Sequence, residues 1–286
     1  MAEQVWFNGN IIPLKKAKVS VLDRGFLYGD GIFESMRAYG GRVFKLNEHL
    51  ARFAASAAAL RLPLLYDKSD IEDAVHELIA ANELSDAYVR LALSRGVGGH
   101  RLSLRGEFDP TLVMTARPFS AYPREFYRQG MTAVTAAFHT SPDSPVLRHK
   151  SANYLANILA KSEAEEKGAG EAIFVNANEE VAEGAVSNVF IVEEETVVTP
   201  PVSVGILPGI TRAVVMDLCR EEGIACREDA FGLARLFQAD EVFLTNSLME
   251  VMPVASIDDV KIGRRVPGHI TRRLMAAYRE ATKSGV

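Results

Sequence analysis

The chain has 286 residues, 48% hydrophobic and 24% charged, with 32 lysines and arginines against 37 aspartates and glutamates for a net charge of −5. That length can bury a large core and predicts about two domains at ~150 residues each. The acidic balance argues against nucleic-acid and anionic-membrane partners, and no run approaches the ~18 apolar residues of a membrane span. Cys219 and Cys226 fit neither a zinc spacing nor a disulfide framework, no metal-ligand pattern stands out, and residues 1–10 lack a signal-peptide pattern. A cytoplasmic α/β or α+β enzyme is the expectation.

In chain order, residues 5–7 and 11–12 flank an Asn8-Gly9-Asn10 turn and predict a hairpin. Residues 31–39 and 42–45, joined by Gly40-Gly41, predict a second. Asn47 is the expected N-cap of an alanine-rich helix that reaches about Leu60 and ends before Pro63. Ser69-Asp70-Ile71-Glu72 resembles a capping arrangement for a second helix ending near Asn82. Strands are expected over 88–94 and 111–116, separated by a loop rich in Gly and Arg. Pro118 and Pro123 mark the linker. Beyond it come a strand over 131–138, a polar loop over 139–149 and a long helix from Ser151 to about Lys167. Further strands are expected over 171–175, 189–192, 196–199 and 239–244, with helices over 210–222 and 272–282. The organisation reads as α+β, with a small N-terminal α/β domain over 1–118, a linker over 119–124 and a larger domain over 125–286.

Four segments could carry chemistry. Lys150 follows Arg148-His149 at the expected loop-to-helix junction, where a cation is electrostatically disfavoured. A solvated surface lysine is the plain alternative, yet Asn153, Tyr154 and Asn157 would suit a lysine held in a polar pocket. Glu183 lies in a small-residue, apolar stretch, where a carboxylate must be paired or protonated. It is either a turn residue with a local salt bridge or a partner for a cationic ligand atom. Pro208-Gly209 precedes a helix whose free N–H groups, with the Thr211 hydroxyl, form an anion site. Finally, Thr245, Asn246 and Ser247 end a strand in polar groups that suit ligand contacts as well as plain turns. A Schiff-base lysine, a carboxylate and a phosphate-binding helix start together suit pyridoxal 5'-phosphate.

These segments occur together with Asp23-Arg24-Gly25-Phe26-Leu27-Tyr28-Gly29-Asp30-Gly31-Ile32-Phe33-Glu34, Asn47-Glu48-His49-Leu50-Ala51-Arg52 and Met249-Glu250-Val251-Met252-Pro253-Val254. In this order and spacing they resemble the class IV (fold type IV) pyridoxal-phosphate aminotransferases, a group of branched-chain aminotransferases, D-amino acid aminotransferases and aminodeoxychorismate lyases. The resemblance covers nearly the whole chain. It implies a two-domain fold with a β-barrel-like core in the larger domain, pyridoxal 5'-phosphate as cofactor, and amino acid and 2-oxo acid substrates. It also implies a homodimer with active sites at the subunit interface. By the same resemblance Lys150 forms the internal aldimine, and Glu183 pairs with the pyridine nitrogen. Arg52, Ile210 and Thr211 hold the phosphate, with Ser247 nearby. Leu207 packs on the ring and Tyr154 contacts the phenolic oxygen. Ser187, Asn188, Gly209, Thr245 and Asn246 complete the expected cofactor set.

The branch within the family divides the signals. Phe33-Glu34-Ser35-Met36-Arg37 and Tyr154 are similar to the branched-chain pattern. The Lys150-Ser151-Ala152-Asn153 register and the loop Ser94-Arg95-Gly96-Val97-Gly98-Gly99-His100-Arg101 look more like the other two branches. The threonine pair of the lyases is absent near Glu34-Ser35. The resemblance implies ping-pong transamination between an apolar, branched-chain type amino acid and 2-oxoglutarate. A D-amino acid or (R)-amine transaminase is the alternative, and a lyase comes third. A substrate carboxylate calls for bidentate arginine, for which Arg37, Arg95 and Arg101 are the candidates, and Tyr28, Phe33, Tyr88 and Leu248 complete the expected substrate set.

Overall fold

A computed structural model describes residues 3–99 and 101–284; His100, within the loop quoted above, lies outside them. The chain forms two compact units. The first holds the residues up to Ser120 together with His149–Asn153, and the second holds Ala121–Arg148 and the chain from Tyr154.

The first unit is built on an antiparallel sheet. Its strands are β1 (Gln4–Phe7), β2 (Asn10–Pro13), β3 (Gly31–Tyr39), β4 (Arg42–Val43), β5 (Ala87–Gly98) and β6 (Phe108–Pro118), ordered β2-β1-β6-β5-β3-β4. Asn8 and Gly9 both take positive φ, as a tight hairpin turn requires. After the short α1 (Arg24–Tyr28) come α2 (Leu46–Ala59) and α3 (Lys68–Ala81). Strand alternation sends Ile32, Met36, Ala38, Val89 and Leu91 into one core with Leu50, Phe53, Val75 and Leu78 of the two helices. Each of these buried side chains other than Ala38 stabilises the unit by about 1.5–3 kcal/mol. Both helix starts differ from expectation. Lys45, at φ 55, caps α2 in place of Asn47, without a side-chain bond. Asp67 caps α3, because its carboxylate accepts the Asp70 N–H while the Asp70 carboxylate accepts the Asp67 N–H.

In the second unit, α4 (Arg124–Gln129) leads to β7 (Met131–Thr135), and α5 (Leu155–Glu166) leads to β8 (Glu171–Val175), β9 (Val181–Gly184), β10 (Asn188–Glu193) and β11 (Thr196–Thr199). Then follow α6 (Ile210–Glu221), β12 (Cys226–Glu228), α7 (Leu233–Gln238), β13 (Glu241–Asn246), β14 (Glu250–Ile257), β15 (Val260–Lys261) and α8 (His269–Ser284). Six strands close on themselves in the order β10-β13-β14-β7-β8-β9, with β9 pairing back to β10. β7 runs parallel to both β14 and β8, and the other barrel pairings are antiparallel. Met131, Ile173, Val189, Ile191, Leu244 and Met252 fill its core. Phe190 and Phe243, cross-strand partners, stack at 4.9 Å. The helix expected from Ser151 begins only at Leu155, because residues 150–152 are taken up by strand pairing.

Candidate active site residues

Lys150 sits in a turn beside the start of β3, with the Ser151 N–H donating to the His149 carbonyl at 2.9 Å. The Phe33 N–H donates to the Lys150 carbonyl at 2.9 Å, the Ala152 N–H donates to the Gly31 carbonyl at 2.8 Å, and Ile32 bridges to Ser151. The electrostatic penalty of a lysine at a helix start therefore does not arise. Lys150 is half-buried, and its Nζ lies 4.7 Å from the centre of the Phe33 ring. The Arg90 guanidinium lies over that same ring at 3.8 Å. Alternation along β3 and β5 puts Phe33, Ser35, Arg37, Tyr88 and Arg90 on the sheet face away from the helices. There the Ser35 and Tyr88 hydroxyls are 3.3 Å apart, and Arg37 stacks on Tyr39 and Phe119. Phe33, Arg37 and Tyr88 were expected at a substrate site; Arg90 was not. Its signal was available, since residues two apart in a strand share a face and Tyr88 had already been chosen.

Glu34 points the other way, toward α2, where it is buried. Arg52 donates to it through Nε at 2.8 Å and Nη2 at 2.6 Å, and His49 Nδ1 lies 2.7 Å from its second oxygen. Burial alone would raise the Glu34 carboxyl. The Arg52 charge and the two hydrogen-bonding partners outweigh it and hold the group at about 2, down from 4.5. Arg52, assigned by resemblance to the cofactor phosphate, is thus fixed by a bidentate pair. A folded-state value below the unfolded one stabilises the fold above pH 4.5, and the benefit is lost as the pH falls toward 2. Glu34→Gln, which leaves Arg52 and His49 facing a neutral amide, is expected to cost about 3–5 kcal/mol at pH 7. In urea titrations the gap between the two proteins should narrow steadily below pH 4.5. A gap that is independent of pH would place the stabilisation elsewhere.

The remaining arginines of the first unit are differently placed. Arg95 is buried, donating from Nε and Nη2 to Asp30 at 2.8 and 3.0 Å and to the carbonyls of Leu60 and Arg61. Arg24 also binds Asp30, and its Nη1 donates to the Arg101 carbonyl at 2.6 Å. Arg101 and Tyr28 are exposed, Tyr28 lying 5.2 Å beneath Arg24. The structure gathers Phe33, Arg37 and Tyr88 on one face; Arg95 belongs to a separate buried ion cluster.

In the second unit the expected cofactor residues converge on Asn188. Asn188 is the cross-strand partner of Glu183 on one side and of Thr245 on the other. Its Nδ2 donates to the Leu207 carbonyl at 2.9 Å and to Glu183 at 3.3 Å, while the Leu207 N–H donates to Glu183 at 3.0 Å. Gly209 must be glycine because a Cβ there would collide with the Asn188 amide oxygen. Glu183, Leu207, Gly209 and Thr245 are thereby held around one side chain. Beneath the turn from β9 to β10 lies Glu171, fully buried. It accepts the Ser187 hydroxyl at 2.8 Å, and burial pushes its carboxyl up despite the nearby Lys161 charge. This locks the turn that sets Glu183 opposite Asn188.

Beyond Gly209, the N-terminus of α6 presents the N–H groups of Ile210 and Thr211 without a side-chain cap. The Thr245 hydroxyl is buried and has no hydrogen-bond partner among the described residues. A buried polar atom left so is costly unless a ligand satisfies it. After it, the Asn246 amide oxygen accepts the N–H groups of Leu248 and Met249 at 2.8 and 2.7 Å, shaping the turn that carries Ser247. Uncapped helix N–H groups, an orphaned hydroxyl and a carboxylate set by two donors fit a ligand with an anionic phosphate and a basic ring nitrogen. Tyr154 stands at the start of α5.

The sequence pattern of the amino-transferase class IV family matches residues 31–257. The chain belongs to that family. This aminotransferase is 40% identical to a putative branched-chain-amino-acid aminotransferase of Methanocaldococcus jannaschii, over 99% of this chain and 98% of the other. It is 34% identical to a D-alanine aminotransferase of Bacillus licheniformis, over 98% of each chain. Its fold, type IV, is similar to that of the branched-chain amino acid aminotransferase from Thermobaculum terrenum in its PLP form. That match has a TM-score of 0.90 and 31% identity, and it covers 100% of this chain and 95% of the other. Among the described residues no helix of the aminotransferase is long and apolar enough to cross a membrane.

Proposed function

We propose that this aminotransferase uses pyridoxal 5'-phosphate to move an amino group between a branched-chain type amino acid and 2-oxoglutarate by a ping-pong mechanism. The observation that carries the substrate reading is the Phe33 ring, flanked by Lys150 Nζ at 4.7 Å and the Arg90 guanidinium at 3.8 Å. An aromatic wall beside the lysine accommodates an aliphatic side chain. A cation held on that wall supplies a partner for the second carboxylate of a dicarboxylic acceptor.

When bound, the cofactor supplies an electron sink for the pair left on the substrate Cα. The chain's residues do the rest. Lys150 Nζ would take the proton from the substrate Cα and deliver it to the cofactor's C4′, as base and then acid. Glu183, oriented by Leu207 and Asn188, would keep a proton on the ring nitrogen. The N–H groups of Ile210 and Thr211, with the hydroxyls of Thr211, Thr245 and Ser247, would hold the phosphate, and the family resemblance gives the same role to the guanidinium of Arg52. Leu207 would pack on the ring, and Tyr154 would contact its phenolic oxygen. Arg37 binds the substrate's own carboxylate, with Tyr88 and Leu248 shaping the pocket.

The enzyme is assigned to the cytoplasm and to a homodimer. Supporting the dimer, each unit exposes apolar side chains that a monomer would leave in water, among them Val21, Leu22 and Phe26 in the first and Leu155, Ile158 and Leu159 in the second. Phe26→Asp should lower the mass measured by light scattering from dimer to monomer; an unchanged mass would remove this face from the interface.

A second reading, transamination of D-amino acids, draws on the likeness to D-alanine aminotransferases. Half-reaction spectra of the cofactor-loaded protein decide between the two. L-leucine and L-valine should discharge the visible absorption while D-alanine leaves it, and 2-oxoglutarate should restore it. Discharge by D-alanine alone would overturn the branched-chain reading.

A further inference from the structure

The second unit contains a cavity of about 440 Å³, between α4, the segment carrying Arg265 and the first half of α8. It shares none of the residues assigned to the cofactor or the substrate. Arg128, Arg265, Arg272 and Arg279 line it. Arg272, Met275, Ala276 and Arg279 recur at helical spacing and so share one face of α8. The floor is apolar, formed by Tyr127, Val266 and Met275, and the Tyr127 hydroxyl is fixed by donating to the Met249 carbonyl at 3.1 Å.

The charge balance here differs from that elsewhere in the unit. Arg212, Arg235 and Arg273 each pair with a carboxylate. Among the described residues no carboxylate lies within 4.0 Å of any of the four cavity arginines. Arg272 is already oriented, its Nη1 donating to the Pro267 carbonyl at 2.9 Å. Four guanidinium groups around one concavity repel one another, and in a chain of net charge −5 this is a local concentration of positive charge. Planar donors of this kind suit a phosphate group, and the apolar floor suits an aromatic or aliphatic body. The volume lies within the ~300–1,000 Å³ range of small-molecule sites.

We propose that this cavity is a second ligand site, which binds an organic phosphate through the four arginines and seats its apolar body on Tyr127, Val266 and Met275. The probe is phenyl phosphate, titrated calorimetrically into the cofactor-loaded enzyme in 150 mM salt, with inorganic phosphate and phenol in parallel. One molecule per chain should bind, at least about tenfold more tightly than inorganic phosphate, and phenol alone should give no heat. Arg128→Glu with Arg279→Glu changes two exposed side chains outside the assigned machinery. The pair should weaken phenyl phosphate at least about tenfold while leaving transamination unchanged. Equal affinity for inorganic phosphate would remove the apolar seat from the proposal. No binding at 10 mM, or the same affinity in the double variant, would overturn it.

Discussion

Lys150→Ala should lower transamination by at least about 10³-fold, because general acid–base transfer by a positioned side chain is worth ~10²–10⁴-fold and this lysine is also assigned the cofactor linkage. The fold should survive. Lys150 holds its place through backbone groups, its carbonyl accepting the Phe33 N–H, and an alanine keeps that bond. Far-ultraviolet circular dichroism should therefore match the parent protein, while the visible absorption of the lysine-linked cofactor disappears. Added methylamine should restore part of the activity if the missing group is a proton-transferring amine. A variant keeping more than a tenth of the parent rate would remove Lys150 from the centre of the chemistry.

Glu183→Gln should lower the rate of the first half-reaction by about 10²–10³-fold, the size seen when one charge-stabilising group is removed from an active site. The amide preserves an oxygen acceptor for the Leu207 N–H and the Asn188 amide, so local geometry is kept. It cannot hold a proton on a ring nitrogen as a carboxylate does. The loss should fall on kcat far more than on KM, since the interaction matters most when electrons move into the ring. A rise in KM with kcat preserved would assign Glu183 to substrate binding instead.

Local signals in the sequence were read well where short-range geometry decides. The Asn8-Gly9 hairpin, β3 over Gly31–Tyr39 and α6 after Pro208-Gly209 lie where residue type and periodicity put them. Misreadings came where distant chain segments compete with local preference. Residues 150–153 contain nothing that forbids a helix, yet backbone pairing of Lys150 and Ala152 with Phe33 and Gly31 keeps them out of one. Consequently Asn153 is not a helix neighbour of Asn157. It donates to the Gly29 carbonyl, while Asn157 donates to that of Ala185. β9 is too short and too rich in small residues to show a period, and barrel closure depends on register between strands far apart in sequence.

The candidate site was legible in part for the same reason. Glu183, Gly209 and Thr211 stood out as unusual residues beside structural punctuation. Asn188, the hub between Glu183 and Thr245, has no such local mark, and it was assigned only by resemblance. Neither the Glu34–Arg52–His49 cluster nor the capture of Arg95 by Asp30 can be inferred from spacing, because each depends on which sheet face a strand turns to its helices. Arg90 lies two positions from Tyr88 in β5, so strand alternation alone puts the two on one face.

Borohydride reduction of the cofactor-loaded protein, followed by peptide mass spectrometry, tests most directly whether Lys150 carries the cofactor. Reduction makes the lysine linkage permanent. A single phosphopyridoxyl-modified peptide is expected, with the modification on Lys150 and lost in Lys150→Ala. Modification of another lysine, or none at full cofactor loading, would contradict it.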